Sequence, residues 1–281
     1  MALSILNNIP SIVAQNQLSI TNSNLQKTLF RLSSGSRINS GADDAAGLAI
    51  ADGLKANITA LTQSAQNASS GVGALQVSDG ALAQVTTLLN RAVTLATESS
   101  NGTVSDSQRT ALNAEYTQIR AEIDRIGSST TFNGTSVFTA TATNIFLTDA
   151  SSAAANNTIG VTVGSLASSG IAYNGTTVNL STNNLSSAAS SQLAINDINS
   201  AISNVAGLRG TIGASINRLQ SAVNVINAQT QNLTAAEDGI RAADIPSEVA
   251  NLSRYSILNQ SGISALAQAN STQQSVLNLL R

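Results

Sequence analysis

Residues 29–55 concentrate the residue types that could perform chemistry, because this stretch combines four glycines, two arginines and two adjacent aspartates. A glycine-rich loop before a helix can bind phosphate, but these glycines fit neither the GxxxxGK[ST] nor the GxGxxG spacing, and no strand is predicted ahead of them. Paired carboxylates could hold a proton or a cation, but adjacent helical residues point about 100° apart, so Asp43 and Asp44 do not converge on one atom. The stretch therefore predicts a structural joint with a helix cap, in which Arg31 and Arg37 pair with the aspartates across the joint or between subunits.

The rest of the chain offers no catalytic combination. Histidine and cysteine are both absent, which removes the Ser-His-Asp triad and thiolate metal sites. Lys27 and Lys55 are the only lysines, and neither lies in an SxxK motif. The carboxylates of residues 115–126 predict solvated ion pairs with Arg120 and Arg125. We therefore predict no enzymatic activity, no cofactor and no metal site.

Charge is scarce along the whole chain. Charged residues make up 10% and aromatic residues 2% of 281 positions, whereas soluble domains contain roughly 25% charged residues. A surface with so little charge lacks the repulsion that keeps proteins apart, so the protein is either unusually sticky or largely covered by copies of itself. The net charge of −2 argues against a general nucleic-acid binder. No apolar run is long enough to span a membrane, and residues 1–17 lack the features of a secretory signal.

The N-terminal part predicts an amphipathic helix, with Pro10 in its first turn, where the missing N–H has no cost. Apolar residues follow at spacings of seven, four and three: Leu18, Leu25, Leu29 and Leu32. The runs SSGSR and SGADD are expected to end this helix. Asp43 or Asp44 is predicted to cap the next one, because a carboxylate accepts hydrogen bonds from the first N–H groups of a helix.

A longer second helix carries a coiled-coil-like seam. Its members are each seven residues apart: Leu61, Ala68, Leu75, Leu82, Leu89 and Ala96. Asp79, Thr86 and the glycines at 71, 73 and 80 are expected to weaken this seam. The run SSNGT at 99–103 is expected to end the helix.

A third, shorter helix is predicted between a cap at Ser105 or Ser107 and an end at Gly127. One apolar stripe marks its buried face: Leu112, Tyr116, Ile119, Ile123 and Ile126.

The middle of the chain, from about 128 to 187, changes to Ser, Thr, Asn and Gly. Short runs here alternate apolar and polar residues, as half-buried strands do. Asn133-Gly134 and Asn174-Gly175 are signals for type I′ hairpin turns. We therefore predict a small β-hairpin insert.

Helical periodicity returns from Ile195 and continues to Leu233, with Gly207, Gly210 and Gly213 inside the run. These glycines either permit a close contact or mark a local break. Asp244 and Pro246 begin a last helix, whose seam alternates spacings of four and three. Its apolar members are Ile245, Val249, Leu252, Ile263, Leu266, Leu277 and Leu280, and Ser256, Asn259, Asn270 and Gln273 occupy the intervening seam positions. Because an isolated amphipathic helix depends on its packing partner, both terminal helices are expected to be disordered in an isolated subunit and to order on assembly.

These patterns predict a mainly α fold: a long antiparallel helical bundle or coiled-coil rod with paired terminal helices and a small β-hairpin insert. Residues 1–42 with 243–281 form the predicted inner-core domain. Residues 43–242 form the predicted rod domain, with the insert at about 128–187.

Three stretches closely resemble the signatures of bacterial flagellin. LQKTLFRLSSGSRINSGADDAAGLAIADGLKANI at 25–58 is similar to the N-terminal signature, and ADIPSEVANLSRYSILNQSGISALAQANSTQQSVLNLLR at 243–281 is similar to the C-terminal one. EIDRI and TTFNG, within 122–134, match an internal motif. Only about 137–192 is unlike long flagellins, so the resemblance indicates a short form without their large outer domains.

The resemblance implies a subunit of the secreted, extracellular flagellar filament, used for swimming. It implies export in the unfolded state by the flagellar type III apparatus, assembly at the filament tip and ordering of the terminal helices on assembly. The implied partners are other copies of the chain, a chaperone at the C-terminal helix, and the filament cap and hook-junction proteins. Together with the helical seams it assigns these subunit-interface residues: Leu18, Leu25, Leu29, Arg31, Leu32, Arg37, Asp43, Asp44, Val249, Leu252, Ile263, Leu266, Leu277 and Leu280. Two alternatives stay open: a flagellin-like hook–filament junction protein, which shares the terminal motifs but makes no long polymer, and, as a weaker one, a surface adhesin with a Ser/Thr-rich insert.

One segment departs from the flagellins that an innate Toll-like receptor senses, which carry an LQRxRELxxQ-like run. The corresponding run here is LNRAVTLATE at 89–98. Leu89, Arg91 and Leu95 match that run, but Val93 and Thr94 replace its second Arg and its Glu. We therefore expect weak recognition by that receptor.

Overall fold

The computed structural model describes residues 7–139, 142–147 and 158–279. Within them the chain forms five helices, α1 (Ile9–Ser34), α2 (Ala45–Ser100), α3 (Asp106–Ser129), α4 (Ala188–Arg241) and α5 (Ile245–Leu279). Six short strands lie between α3 and α4: β1 (Thr131–Phe132), β2 (Thr135–Ser136), β3 (Thr143–Phe146), β4 (Thr158–Val161), β5 (Ile171–Tyr173) and β6 (Thr176–Val178). The predicted mainly α fold with paired terminal helices and a small β insert is confirmed.

The chain divides into two compact units. The terminal unit comprises Met1–Ala56 with Asn232–Arg281, and the rod unit comprises Asn57–Gln231. The predicted inner-core domain (1–42 with 243–281) and rod domain (43–242) describe layers of an assembled polymer rather than compact units of one chain. That division stays a prediction.

The rod unit contains the hydrophobic core. All six members of the predicted α2 seam are buried, with at most 4% of any of these residues exposed. Two further helices complete the core with buried side chains: Tyr116, Ile119 and Ile123 from α3, and Ile198, Leu208 and Ile212 from α4. Heptad spacing therefore predicted which side of α2 is covered.

The ends of the helices follow local signals. Gly35, with φ +67°, ends α1 in the left-handed conformation that favours glycine. Asp44 caps α2, because its Oδ1 accepts a hydrogen bond from the Gly47 N–H at 2.9 Å. Ser105, not Ser107, caps α3 in a capping box with Gln108. These caps agree with the predicted boundaries, and α2 ends at Ser100 as expected.

The insert consists of three antiparallel strand pairs, β1–β2, β3–β4 and β5–β6. Both predicted type I′ turns are confirmed, since Asn133 and Gly134 have φ of +49° and +76°, and Asn174 and Gly175 have φ of +47° and +78°. In β3–β4, Thr143 lies opposite Val161 and Phe146 lies opposite Thr158.

Three glycines inside the helices lie at close contacts, whereas Gly210 and Gly213 lie in open space within a continuous α4. The prediction that Gly127 ends α3 is wrong, because the helix continues to Ser129 and the missing side chain makes room for the Leu166 carbonyl. The glycines of α2 do not interrupt that helix, and Gly71 lies under the side chain of Ile145. The helix α4 continues unbroken through Gly207. The absence of a side chain at this position leaves room for the Tyr173 ring, which a Cβ would overlap.

Candidate assembly surface

The terminal unit is built on an antiparallel pair of helices, α1 and α5. The Asn8 side-chain amide donates to the Ala269 carbonyl at 3.2 Å, and Arg31 Nη1 lies 3.5 Å from Glu248 Oε1. The start of α1 therefore lies beside the end of α5, and the end of α1 lies beside the start of α5.

The facing sides of these two helices follow a seven-residue pattern of buried and half-buried positions. On α1 this pattern comprises Ser11, Ala14, Leu18, Thr21, Leu25, Thr28 and Leu32. On α5 it comprises Glu248, Leu252, Tyr255, Asn259, Gly262, Leu266, Ala269 and Gln273. Five of the predicted interface residues therefore pack within the subunit: Leu18, Leu25, Leu32, Leu252 and Leu266.

This seam is unusually polar for a coiled coil. Thr21 and Thr28 are its buried members on α1, and Asn259 donates a hydrogen bond to Asn22 across the pair. Polar side chains at seam positions specify the register of a coiled coil at a cost in stability. The pairing of α1 with α5 is therefore specific but weakly stabilised by apolar burial.

The outward sides of the terminal unit carry most of the exposed apolar residues. Within the described residues, twelve of the fifteen exposed large hydrophobic side chains belong to this unit. They are Ile9, Ile12, Val13, Ile20, Leu29, Phe30, Ile50, Ile245, Val249, Ile257, Leu258 and Ile263. Exposed apolar residues concentrated in this way are typical of surfaces that bind another molecule.

The sequence prediction found only part of this surface. Leu29, Val249 and Ile263 are exposed as an interface requires, whereas Ile12, Phe30 and their outward neighbours were missed. For part of this surface a signal was present, because residues 9–26 and 255–279 contain no charged residue and so lack the charge of an ordinary solvated helix side. The side chain of Leu277 and all of Leu280 lie outside the described residues.

The joint connects the two halves of the terminal unit through backbone hydrogen bonds. The Arg37 N–H donates to the Arg241 carbonyl at 2.7 Å, and the Ala243 N–H donates to the Gly35 carbonyl at 3.0 Å. The Arg37 guanidinium donates to the Ile240 carbonyl at 2.9 Å. Within the subunit Arg37 thus binds the backbone of the opposite segment rather than an aspartate, and an ion pair between subunits stays a prediction.

Arg31 is the charged centre of the joint. Its guanidinium lies 3.5 Å from both Asp43 and Glu248. The Ser40 hydroxyl, the N–H groups of Asn39 and Ser40, and Arg31 hold the pKa of Asp43 below its usual value. Asp43 and Asp44 therefore have separate structural roles, one in the loop and one as a helix cap.

The described residues contain no group of three or more acidic side chains arranged to hold a metal ion. Among them, no helix is long and apolar enough to cross a membrane.

Comparisons with known proteins agree with the sequence signatures. The family model described as the bacterial flagellin N-terminal helical region matches residues 5–143, and that of the C-terminal helical region matches residues 195–280. A flagellin from Halalkalibacterium halodurans is 36% identical over 98% of each chain. The chain belongs to the bacterial flagellin family.

Two further relatives extend the comparison of this flagellin-family chain. The flagellar filament 30.7 kDa core protein of Treponema maltophilum is 35% identical over 97% of this chain and 98% of its own. The crystal structure of Bacillus cereus flagellin matches with a TM-score of 0.48 and 28% identity, over 61% of this chain and 94% of that chain.

The segment that corresponds to the receptor-sensed run of some flagellins lies on α2. Leu89 and Leu95 are fully buried in the rod core. Arg91 is exposed, and its guanidinium donates two hydrogen bonds to the Glu115 carboxylate, at 2.7 and 3.1 Å. These bonds lower the pKa of Glu115 and raise the pKa of Arg91. Of the three matching residues, only Arg91 offers its side chain to a partner.

Proposed function

We propose that this chain is the structural subunit of an extracellular bacterial flagellar filament and that it polymerises with itself for swimming motility. The observation that carries the proposal is the set of exposed apolar residues on the paired terminal helices. Family membership supports the same function and a structural rather than an enzymatic role.

Assembly would complete the burial that the terminal unit lacks. Removing a large aliphatic side chain from water stabilises a structure by about 1.5–3 kcal/mol, and twelve large apolar side chains are exposed among the residues of this unit that the structure describes. Since the seam between α1 and α5 is polar, we infer that ordering of the terminal helices is coupled to incorporation into the filament.

The assembly domains that we propose are residues 1–42 with 243–281 as the inner core and residues 43–242 as the rod. In this arrangement, Leu29, Val249 and Ile263 contact neighbouring copies directly. Leu18 and Leu266 act indirectly, because they hold the two terminal helices together.

Export and capping require further partners. We propose export in the unfolded state through the flagellar type III apparatus, with a chaperone covering α5 before secretion. Growth then occurs at the filament tip, beneath the cap, on a base of hook-junction proteins. Recognition by the innate Toll-like receptor is expected to be weak.

Seeded polymerisation tests the proposal. Purified full-length protein is mixed with short filament seeds and a precipitating salt, and growth is followed by electron microscopy. We expect long, uniform tubes. Leu266→Asp should prevent growth because it places a charge in the helix seam, and Ile263→Asn should prevent growth because it removes an outward apolar contact.

Val225→Asn is the matched control, since Val225 is an exposed aliphatic residue of the rod unit. It should polymerise more readily than Ile263→Asn. Circular dichroism should show a folded rod in every variant. Normal filaments from Leu266→Asp would refute the role of the terminal helices, and short caps from the wild-type protein would favour a junction protein.

A further inference from the structure

The chain contains three exposed Asn-Gly dipeptides, at Asn101, Asn133 and Asn174. Asparagine is a chemically labile residue. A glycine that follows it has no side chain, so the backbone nitrogen of the glycine is unhindered. The sequence alone makes the three sites equivalent. Their exposure does not distinguish them either, so any difference in reactivity must come from backbone geometry.

We propose that Asn101 is the site of spontaneous deamidation in the folded protein, and that the two hairpin asparagines are protected. The reaction begins when the Gly102 nitrogen, losing its proton to water or hydroxide, attacks the Asn101 side-chain carbonyl carbon. The N–C bond forms, the bond to the side-chain nitrogen breaks, and ammonia leaves. Water then opens the cyclic imide at either carbonyl, giving aspartate or isoaspartate.

The hairpin asparagines have the wrong backbone conformation for ring closure. Asn133 and Asn174 are left-handed, with φ of +49° and +47°. In that conformation the backbone nitrogen of the following glycine is nearly anti to the asparagine Cβ about the Cα–C bond. It is therefore far from the side-chain carbonyl carbon that it would have to attack. Each hairpin must therefore open before its asparagine can react.

The β5–β6 hairpin is held closed by α4. The Asn204 side-chain amide donates to the carbonyls of Ile171 and Thr176, at 2.9 and 3.0 Å. The ring of Tyr173 lies against Gly207 of the same helix. Opening this turn would therefore disrupt buried contacts.

Asn101 lies instead in the loop after α2, outside the left-handed region. Its Oδ1 accepts a hydrogen bond from the Thr103 N–H at 3.2 Å, which curls the side chain over the Gly102 peptide and polarises the carbonyl that is attacked. Within the described residues, the Gly102 N–H donates no backbone hydrogen bond. The nucleophile and the electrophile are both available.

Arg109 would influence the product. Its Nη2 donates to the Asn101 main-chain carbonyl at 2.9 Å. In isoaspartate that carbonyl becomes a free carboxylate, which would form an ion pair with the guanidinium. We therefore expect isoaspartate to predominate at this position.

Peptide mapping by mass spectrometry tests the proposal. The full-length protein is incubated at mildly alkaline pH, both folded and in urea, and the three sites are followed over time. In the folded protein Asn101 should react at least about ten-fold faster than either hairpin site, which corresponds to about 1.4 kcal/mol of local opening. In urea the three rates should converge.

Gly102→Ala provides a matched variant, because a Cβ at this position meets no neighbouring atom. It should slow deamidation of Asn101 in the folded protein without changing the two hairpin rates. Equal or faster reaction at Asn133 or Asn174 in the folded protein would overturn the proposal. So would an Asn101 that reacts only in urea.

Discussion

Gly127 of α3 and the carbonyl of Leu166 are in such close contact that a Cβ at position 127 would overlap the carbonyl oxygen. The neighbouring Ser168 N–H and hydroxyl donate to the Asp124 carboxylate at 2.6 and 2.8 Å. Together these contacts dock the loop between β4 and β5 on α3.

Gly127→Ala should destabilise the rod unit, because the obstructing atom belongs to the backbone and cannot rotate away. Forcing an extra methyl group into a packed site costs about 1–3 kcal/mol. Gly210→Ala is the control, since nothing lies near its Cβ and alanine favours a helix by about 1 kcal/mol. Urea unfolding followed by circular dichroism should separate the two variants in opposite directions. Equal stabilities would contradict the docking role of Gly127.

Arg109→Ala should destabilise the rod unit strongly. The Arg109 side chain is buried and donates to the carbonyl of Ser99 in the last turn of α2 and to those of Asn101 and Val104 after it. Leaving such acceptors unsatisfied costs about 1–3 kcal/mol each where they are buried. Thermal unfolding should show a clear loss.

Arg125→Ala serves as its control on the same helix, because Arg125 is exposed and pairs only with Glu122 in the contacts described. It should unfold close to the wild-type temperature. If both variants melt alike, the clamp assigned to Arg109 is wrong.

Glu115→Gln should remove a pH-dependent contribution to stability. Because Arg91 lowers the pKa of Glu115, this contribution is present above the unfolded pKa of about 4.3 and is lost as the pH falls through the lower folded pKa. The wild-type protein and the variant should therefore converge in acid. Urea unfolding across this pH range measures the difference.

The same pair is exposed on both sides, so salt should weaken it. The difference between Glu115→Gln and the wild type should shrink in concentrated salt. A difference that persists unchanged in acid and in salt would mean that shape, rather than charge, is the main contribution of Glu115.

The wild-type protein should activate the innate Toll-like receptor weakly in a reporter-cell assay. Leu89 and Leu95 are buried, and Val93 and Thr94 replace the charged residues of the sensed run. Val93→Arg combined with Thr94→Glu should raise the response. Potent activation by the unchanged protein would contradict this expectation.

The sequence by itself determined the elements whose causes are local. Heptad spacing identified the buried side of α2, since a period near 3.5 places the same face toward its neighbours. Asn-Gly pairs identified both type I′ turns, because left-handed backbone favours these residues. The caps at Asp44 and Ser105 follow from side chains that reach only their own helix turn.

Tertiary structure decided which partner covers each surface. Gly127 was predicted to end a helix but instead admits the Leu166 carbonyl, a contact between residues far apart in sequence. Leu18 and Leu266 lie in the seam between α1 and α5, while Phe30 and Ile257 face outward. Periodicity shows that a helix has an apolar side, but only the positions of its neighbours determine which of those side chains remain exposed for another molecule.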